Sequence, residues 1–246
     1  MSSIIQIWTD FDIKMPPKKE PKTPLMAEGL DDSMLKDIFE SDQDMYPAPL
    51  TLDRLRSWTE AAPELAQCFW FTAVRSEWMS WPLAGTIIAL PVLSSFWRDL
   101  LIGRLKETDI DPATMFPGEN DQDAEIGLHV FHIERTDEPQ TTMKLPGFGR
   151  FAMNSVVEAA AEVGWKVIGE SALTATGDGK RFFEKIGFVP TGYEEYWVET
   201  GSSSGVQLVT VSADTASETK IPEKETIKGH ATMMATTKHL LSVDAA

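Results

Sequence analysis

The stretch KLPGFGRFAMNSVVEAAAEVGW, Lys144 to Trp165, sets Gly147 and Gly149 at the mouth of an apolar-periodic helix and Gly164 at its end. Glycines let a backbone approach an anion closely, and the first N–H groups of a helix converge there with a dipole that favours negative charge. Lys144 and Arg150 flank the glycines and add charge-assisted contacts. More than one phosphate fits this string. Gly147, Gly149 and Ala152 spell G-x-G-x-x-A, with Glu170 downstream in the place of a ribose-binding acid, as in a dinucleotide fold. A tight turn with no ligand is the plain alternative.

The neighbouring sequence weighs against the dinucleotide. EIGLHVFHIER, Glu125 to Arg135, is expected to be a strand, and a dinucleotide loop turns directly from strand tip to helix. Here eleven polar or turn-forming residues, Pro139 and Pro146 among them, separate Arg135 from Gly147. Beyond Glu170 the chain offers the end of one strand (WKVIGESAL), a short helix (KRFFEKI, capped by Asp178 and stopped by Gly187) and a last strand or hairpin (FVPTGYEEYWVET). That is too little to complete a doubly wound sheet.

Upstream, residues 1–24 pair a short β-branched run, SIIQIWTDFDI, with a proline- and lysine-rich linker. Two helical patterns follow, one with Met34, Leu35, Ile38 and Phe39, the other with Leu52, Leu55, Trp58 and Ala62. CFWFTAV and AGTIIALPVL are of strand length, and SFWRDLLIGRLKETD has helical spacing from Ser95 to Asp109. Residues 201–246 contain no aromatic side chain and are rich in Ser, Thr, Lys and Glu, so they are expected to form a polar, flexible tail, with GVQLVTVSA as an edge strand at most.

The chain has 246 residues, 42% of them apolar and 23 aromatic, enough for a sizeable core. Its net charge of −16 argues against a nucleic-acid partner, because affinity for phosphate backbones comes from Lys and Arg. Nearly all of that acidity belongs to residues 1–200, since the tail carries four lysines against five acids. One cysteine, Cys68, in an apolar run excludes an internal disulfide and fits a reducing, cytoplasmic compartment. No stretch reaches the length of a membrane span, and no metal site is expected.

RFFEKIGFVPTG, residues 181–192, resembles the aromatic-E-K-x-G-F signature of the GNAT superfamily of acetyl-CoA-dependent N-acyltransferases. In that family a Q/R-x-x-G-x-G/A loop lies upstream, between a strand and a long helix. KLPGFG precedes FFEKIGF by 33 residues here, with one helix and one strand between them. The resemblance covers residues 126–198 well and residues 25–125 only in plan. It implies an α/β (α+β) fold: a mixed, mostly antiparallel sheet flanked by helices and splayed between strands 4 and 5, with the acyltransferase domain over residues 25–200. It also implies acetyl-CoA as cosubstrate, its pyrophosphate held by Lys144, Gly147, Phe148, Gly149 and Arg150. The pantetheine arm then runs along the backbone of Ile133, Glu134 and Arg135.

Acyl transfer from a thioester to an amine needs a neutral amine, an oxyanion stabiliser and a route for protonating the thiolate. Glu134 is the favoured base, directly or through water. His132, on the same strand face, is its rival or relay; Glu170 on the fifth strand and Glu125 are further candidates. Where the family usually has a tyrosine acid this chain has Phe183, and where it commonly has asparagine, Thr176; the resemblance puts both among the cofactor-binding residues, with Phe183 still able to pack against the pantetheine. Tyr193 and Tyr196 are nearby in sequence, and a thiolate can also leave with water's help alone. The expected activity is acetylation of a small-molecule primary amine by direct attack, in a monomer or homodimer with no membrane partner. The alternative, raised by Phe183, is an acyl-CoA-binding sensor or scaffold without turnover.

Overall fold

A computed structural model describes residues 25–45, 50–72, 81–118, 120–136, 147–199, 206–212 and 226–236. The proposed strand in residues 1–24, Lys144 and most of the Arg135–Gly147 connection lie outside the described residues. The elements in chain order are β1 (Leu25–Gly29), α1 (Asp32–Met45), α2 (Leu52–Ala61), β2 (Ala66–Phe71), β3 (Leu83–Leu93) and α3 (Ser94–Leu101). They continue with α4 (Pro112–Met115), β4 (Glu125–Arg135), α5 (Phe148–Val163), β5 (Lys166–Thr174), α6 (Gly177–Lys185), β6 (Phe188–Glu199), β7 (Val206–Val211) and β8 (Ile227–Thr236).

The eight strands form one sheet in the order β1-β2-β3-β4-β5-β8-β6-β7. Only β4 and β5 run parallel; every other pair is antiparallel. Parallel neighbours need a crossover, and the long apolar-faced helix α5 supplies it. It packs on β3, β4 and β5, with Ala152, Val156 and Ala160 fully buried, and ends at Gly164, whose φ of 103° is the left-handed cap expected there. This is the mixed, mostly antiparallel sheet flanked by helices that the resemblance implies.

Its fourth and fifth strands also part as expected. Pairing of β4 with β5 runs from Glu125↔Lys166 to Val130↔Ala172 and then stops, while β4 stays paired with β3 as far as Gly85↔Arg135. A bulge at Phe131, where Ile88 faces His132 and Ala89 faces Val130, accompanies the parting. An extra residue of this kind breaks the two-residue alternation and re-aims the side chains beyond it.

Three expectations need correction. The amphipathic pattern from Ser95 to Asp109 forms a helix only to Leu101: Gly103 turns the chain with a φ of 78°, and Glu107–Asp109 is a single 3-10 turn. The cap of α6 is Thr176, which accepts from the Gly179 N–H at 3.0 Å, and Asp178 falls in the first turn. The third concerns residues 201–246, which are not merely a polar tail. β7 does sit on the sheet edge, but β8 is inserted between β5 and β6, with Ala231, Met233, Met234 and Ala235 fully buried. Methionine and alanine fill the core there, so the absence of aromatics conceals a central strand.

Candidate active site

Beyond Val130 the gap between β4 and β5 opens into a cleft of about 970 Å³. One wall is the part of β4 beyond its pairing with β5, Phe131 to Arg135; another is the end of β5, Leu173 and Thr174. The N-termini of α5 and α6 close one end, and Asp42 of α1 with Glu107 of the 3-10 turn borders the cleft as well.

Gly147 precedes α5 with φ 88°, a left-handed conformation suited to glycine, and no side chain caps the helix among the described residues. Among the described residues, its first-turn N–H groups have no side-chain partner. Phe148 anchors the turn: its buried ring meets Phe69 edge-on at 5.6 Å and lies against Gly85. A Cβ at Gly85 would lie 2.3 Å from the Glu134 carbonyl oxygen and 2.4 Å from the Phe148 ring, which brings the end of β4 and the start of α5 together. Gly149 has a different reason to be glycine than the sequence suggested. A Cβ there would lie 2.2 Å from the ring of Phe182, so α6 itself packs on this turn.

Of the sequence-derived cofactor residues, Ile133, Glu134, Arg135, Gly147, Phe148, Gly149, Arg150, Thr176 and Phe183 all line this one cleft. Thr176 borders it with its hydroxyl engaged in capping α6. Phe183 is buried and packs on Phe182 and Phe188, each at 4.9 Å, so it presents an apolar wall with no proton to give.

The acid–base candidates separate. His132 and Glu134 reach the cleft. Glu170 does not line it, because it stands on the paired part of β5 opposite Leu128, before the strands part. Glu125 is at the far end of β4, bonded to Lys166 at 2.5 Å, and this partner holds its carboxyl below the usual range. Tyr193 and Tyr196 do not line the cleft. Tyr193 is buried and donates to Glu195 at 2.5 Å; burial first, and then that carboxylate, push its phenol well above normal. Tyr196 donates to Glu194 at 2.5 Å, and burial foremost raises it to about 12.

The two histidines of β4 have opposite surroundings. His129 is fully buried, with Nδ1 at 2.9 Å from Ser171 Oγ and Nε2 at 2.7 Å from Glu107 Oε1, while Trp97 Nε1–H donates to the same serine at 2.8 Å. Both of its nitrogens are engaged. His132, 7% exposed, has Nδ1 at 3.3 Å from Asp42 Oδ1, and its Nε2 is buried without a hydrogen-bond partner, 3.8 Å from Glu134 Oε2. Asp42 is the site residue that sequence reasoning missed; it stands among several acids of α1 with nothing local to mark it.

Among the described residues no cluster of His, Cys, Asp and Glu could hold a metal, and no helix is long and apolar enough to cross a membrane. No protein-family model matches the chain, and no curated protein matches it. Solved structures similar to it include Naa50 of Arabidopsis thaliana in complex with a bisubstrate analogue of CoA (10% identity, 87% of this chain and 99% of that chain, TM-score 0.43). NAA60 of Arabidopsis thaliana in complex with acetyl-CoA is similar at 9% identity, over 86% of this chain and 97% of that chain, TM-score 0.47. The C-terminal condensation domain of Ebony in complex with beta-alanyl-dopamine is similar at 9% identity, over 86% and 99%, TM-score 0.42.

Proposed function

We propose that the chain is an acetyl-CoA-dependent N-acyltransferase of the GNAT type that acetylates a small-molecule primary amine by direct attack. One observation carries this: the stretch of β4 beyond its pairing with β5, the glycine-led N-terminus of α5 and the imidazole of His132 all border a single cleft.

Bound acetyl-CoA supplies the acetyl group as a thioester. The first-turn N–H groups of α5, with Arg150, hold its pyrophosphate, where the helix dipole favours negative charge. The backbone of Ile133 to Arg135, left without a β5 partner, bonds the pantetheine amides as a neighbouring strand would. On the acceptor side, Asp42, Glu107 and Glu134 make that part of the cleft attractive to an ammonium. His132 Nε2 takes the ammonium proton, and the neutral amine attacks the thioester carbonyl. The same imidazolium then returns that proton to the departing sulfur, which removes the need for a tyrosine at Phe183, and the second proton that the nitrogen sheds as the amide forms passes to solvent.

The test is release of free thiol from acetyl-CoA in the presence of an amine panel of polyamines, amino sugars, aromatic amines and short peptides with free N-termini. Thiol release with a stoichiometric N-acetyl small molecule supports the proposal. Acetylation of the peptides alone would move the acceptor class to protein N-termini. Tight acetyl-CoA binding without turnover on any amine would replace the enzyme by the sensor that Phe183 first suggested.

A further inference from the structure

We infer that Asp42 is the positioning residue for His132, fixing the imidazole proton on Nδ1 so that Nε2 presents a lone pair to the cleft; this rests on the proposed role of His132 as proton acceptor. An ionised carboxylate can only accept, so the 3.3 Å contact from His132 Nδ1 to Asp42 Oδ1 makes Nδ1 the donor. The neutral ring then has its lone pair on Nε2, which is buried with no hydrogen-bond partner among the described residues, in a side chain that lines the cleft. Interior polar atoms are normally satisfied, and one that is not invites a ligand atom to complete it. His129, three residues earlier on β4, is the internal control: both of its nitrogens are bonded and none is left to act.

Asp42 and His132 are 90 residues apart in the chain, and the fold alone joins them. α1 brings the carboxylate to the end of β4, and the bulge at Phe131 sets the orientation of the ring beyond it. Among the described residues, the carboxylates bordering the imidazole are Asp42 from α1 and Glu134 from β4, with Glu107 of the 3-10 turn in the same cleft. Glu134 is largely exposed and stands 3.8 Å from Nε2, on the side where the acceptor approaches, whereas Asp42 holds the far nitrogen. The two carboxylates therefore have separate tasks. One draws in the ammonium, and the other holds the base in a single tautomer, as a carboxylate does behind any histidine used as a base.

The experiment uses the full chain labelled with 15N-histidine, in wild-type, Asp42→Asn, Asp42→Ala, Asp42→Glu and His132→Gln forms. Long-range 1H–15N correlation spectra report the tautomer, and His132→Gln identifies the signal among the four histidines. In the wild type His132 carries its proton on Nδ1. In Asp42→Ala the tautomers mix, and Asp42→Glu recovers part of the Nδ1-protonated population. Turnover with acetyl-CoA and the best amine of the panel falls at least about tenfold in Asp42→Ala and Asp42→Asn, with KM for acetyl-CoA unchanged. An unchanged tautomer in Asp42→Ala overturns the inference while leaving the proposed function intact. Full turnover by His132→Gln overturns the base assignment and the catalytic meaning of Asp42 with it.

Discussion

Replacing Met233 by alanine tests the least expected part of the structure, the strand β8. Met233 is fully buried and faces Leu173 across the β5–β8 pairing, while Met234 on the same strand faces both Ala172 of β5 and Pro190 of β6. A buried Met→Ala change costs about 2–5 kcal/mol, from lost transfer energy plus the cavity left behind. For a chain of this size each kcal/mol moves the midpoint by about 2–4 °C, so thermal unfolding followed by circular dichroism should show a fall of roughly 4–20 °C. A residue in a solvated tail would change stability by no more than about 0.5 kcal/mol. The effect should extend to the site, since β8 backs Leu173 and Thr174, the β5 wall of the cleft. A midpoint unchanged within a degree would refute the placement of β8 in the core.

Other outcomes follow from single contacts. His132→Gln should lower kcat by about 10²–10⁴-fold, the usual share of a positioned general base, while acetyl-CoA binding measured by calorimetry stays unchanged. Gly149→Ala should both destabilise the fold and weaken acetyl-CoA binding, because its Cβ would strike the Phe182 ring; adding Phe182→Ala should restore stability in thermal melts. Tyr193 and Tyr196 have phenols raised by burial and by neighbouring carboxylates, so their contribution to stability is complete below about pH 10, where unfolded tyrosine is still protonated. It is lost as pH rises further, and unfolding titrations should show stability declining above that point; a rise instead would contradict it. Asp31 has the opposite sign. The Ser33 hydroxyl and the Met34 N–H hold its carboxyl below the usual range, so its contribution is present above about pH 4 and lost as pH falls through its folded value. Asp31→Ala should cost about 1 kcal/mol at neutral pH as a lost helix cap, measured by urea unfolding.

The segment from β4 to β6 was legible because its signals are local. Gly147, Gly164 and Gly187 take left-handed conformations at a helix mouth and two stops, and apolar periodicity runs unbroken between them. The helix after Ser94 was overread because Leu105 continues the apolar spacing past Gly103, where the backbone has already turned. β8 carries no local mark for a physical reason: Ala231, Met233, Met234 and Ala235 are fully buried without an aromatic among them, in a segment otherwise rich in Ser, Thr, Lys and Glu. Within the site, alternation correctly put His132 and Glu134 together, but it could not foresee the bulge at Phe131 or the end of β4–β5 pairing at Val130 that leaves Glu170 behind. Asp42 was invisible for the same kind of reason, since only tertiary packing distinguishes it from the other acids of α1.

The central claim is that an acyl-CoA lies across the part of β4 beyond its pairing with β5, with its pyrophosphate on the N-terminus of α5. Backbone amide shifts during titration with acetyl-CoA test it most directly. The account predicts saturable shifts at Phe148, Gly149 and Arg150 together with Ile133 to Arg135, and none at Glu125 or Glu170. Saturation with shifts elsewhere, or no shifts at millimolar acetyl-CoA, would contradict it.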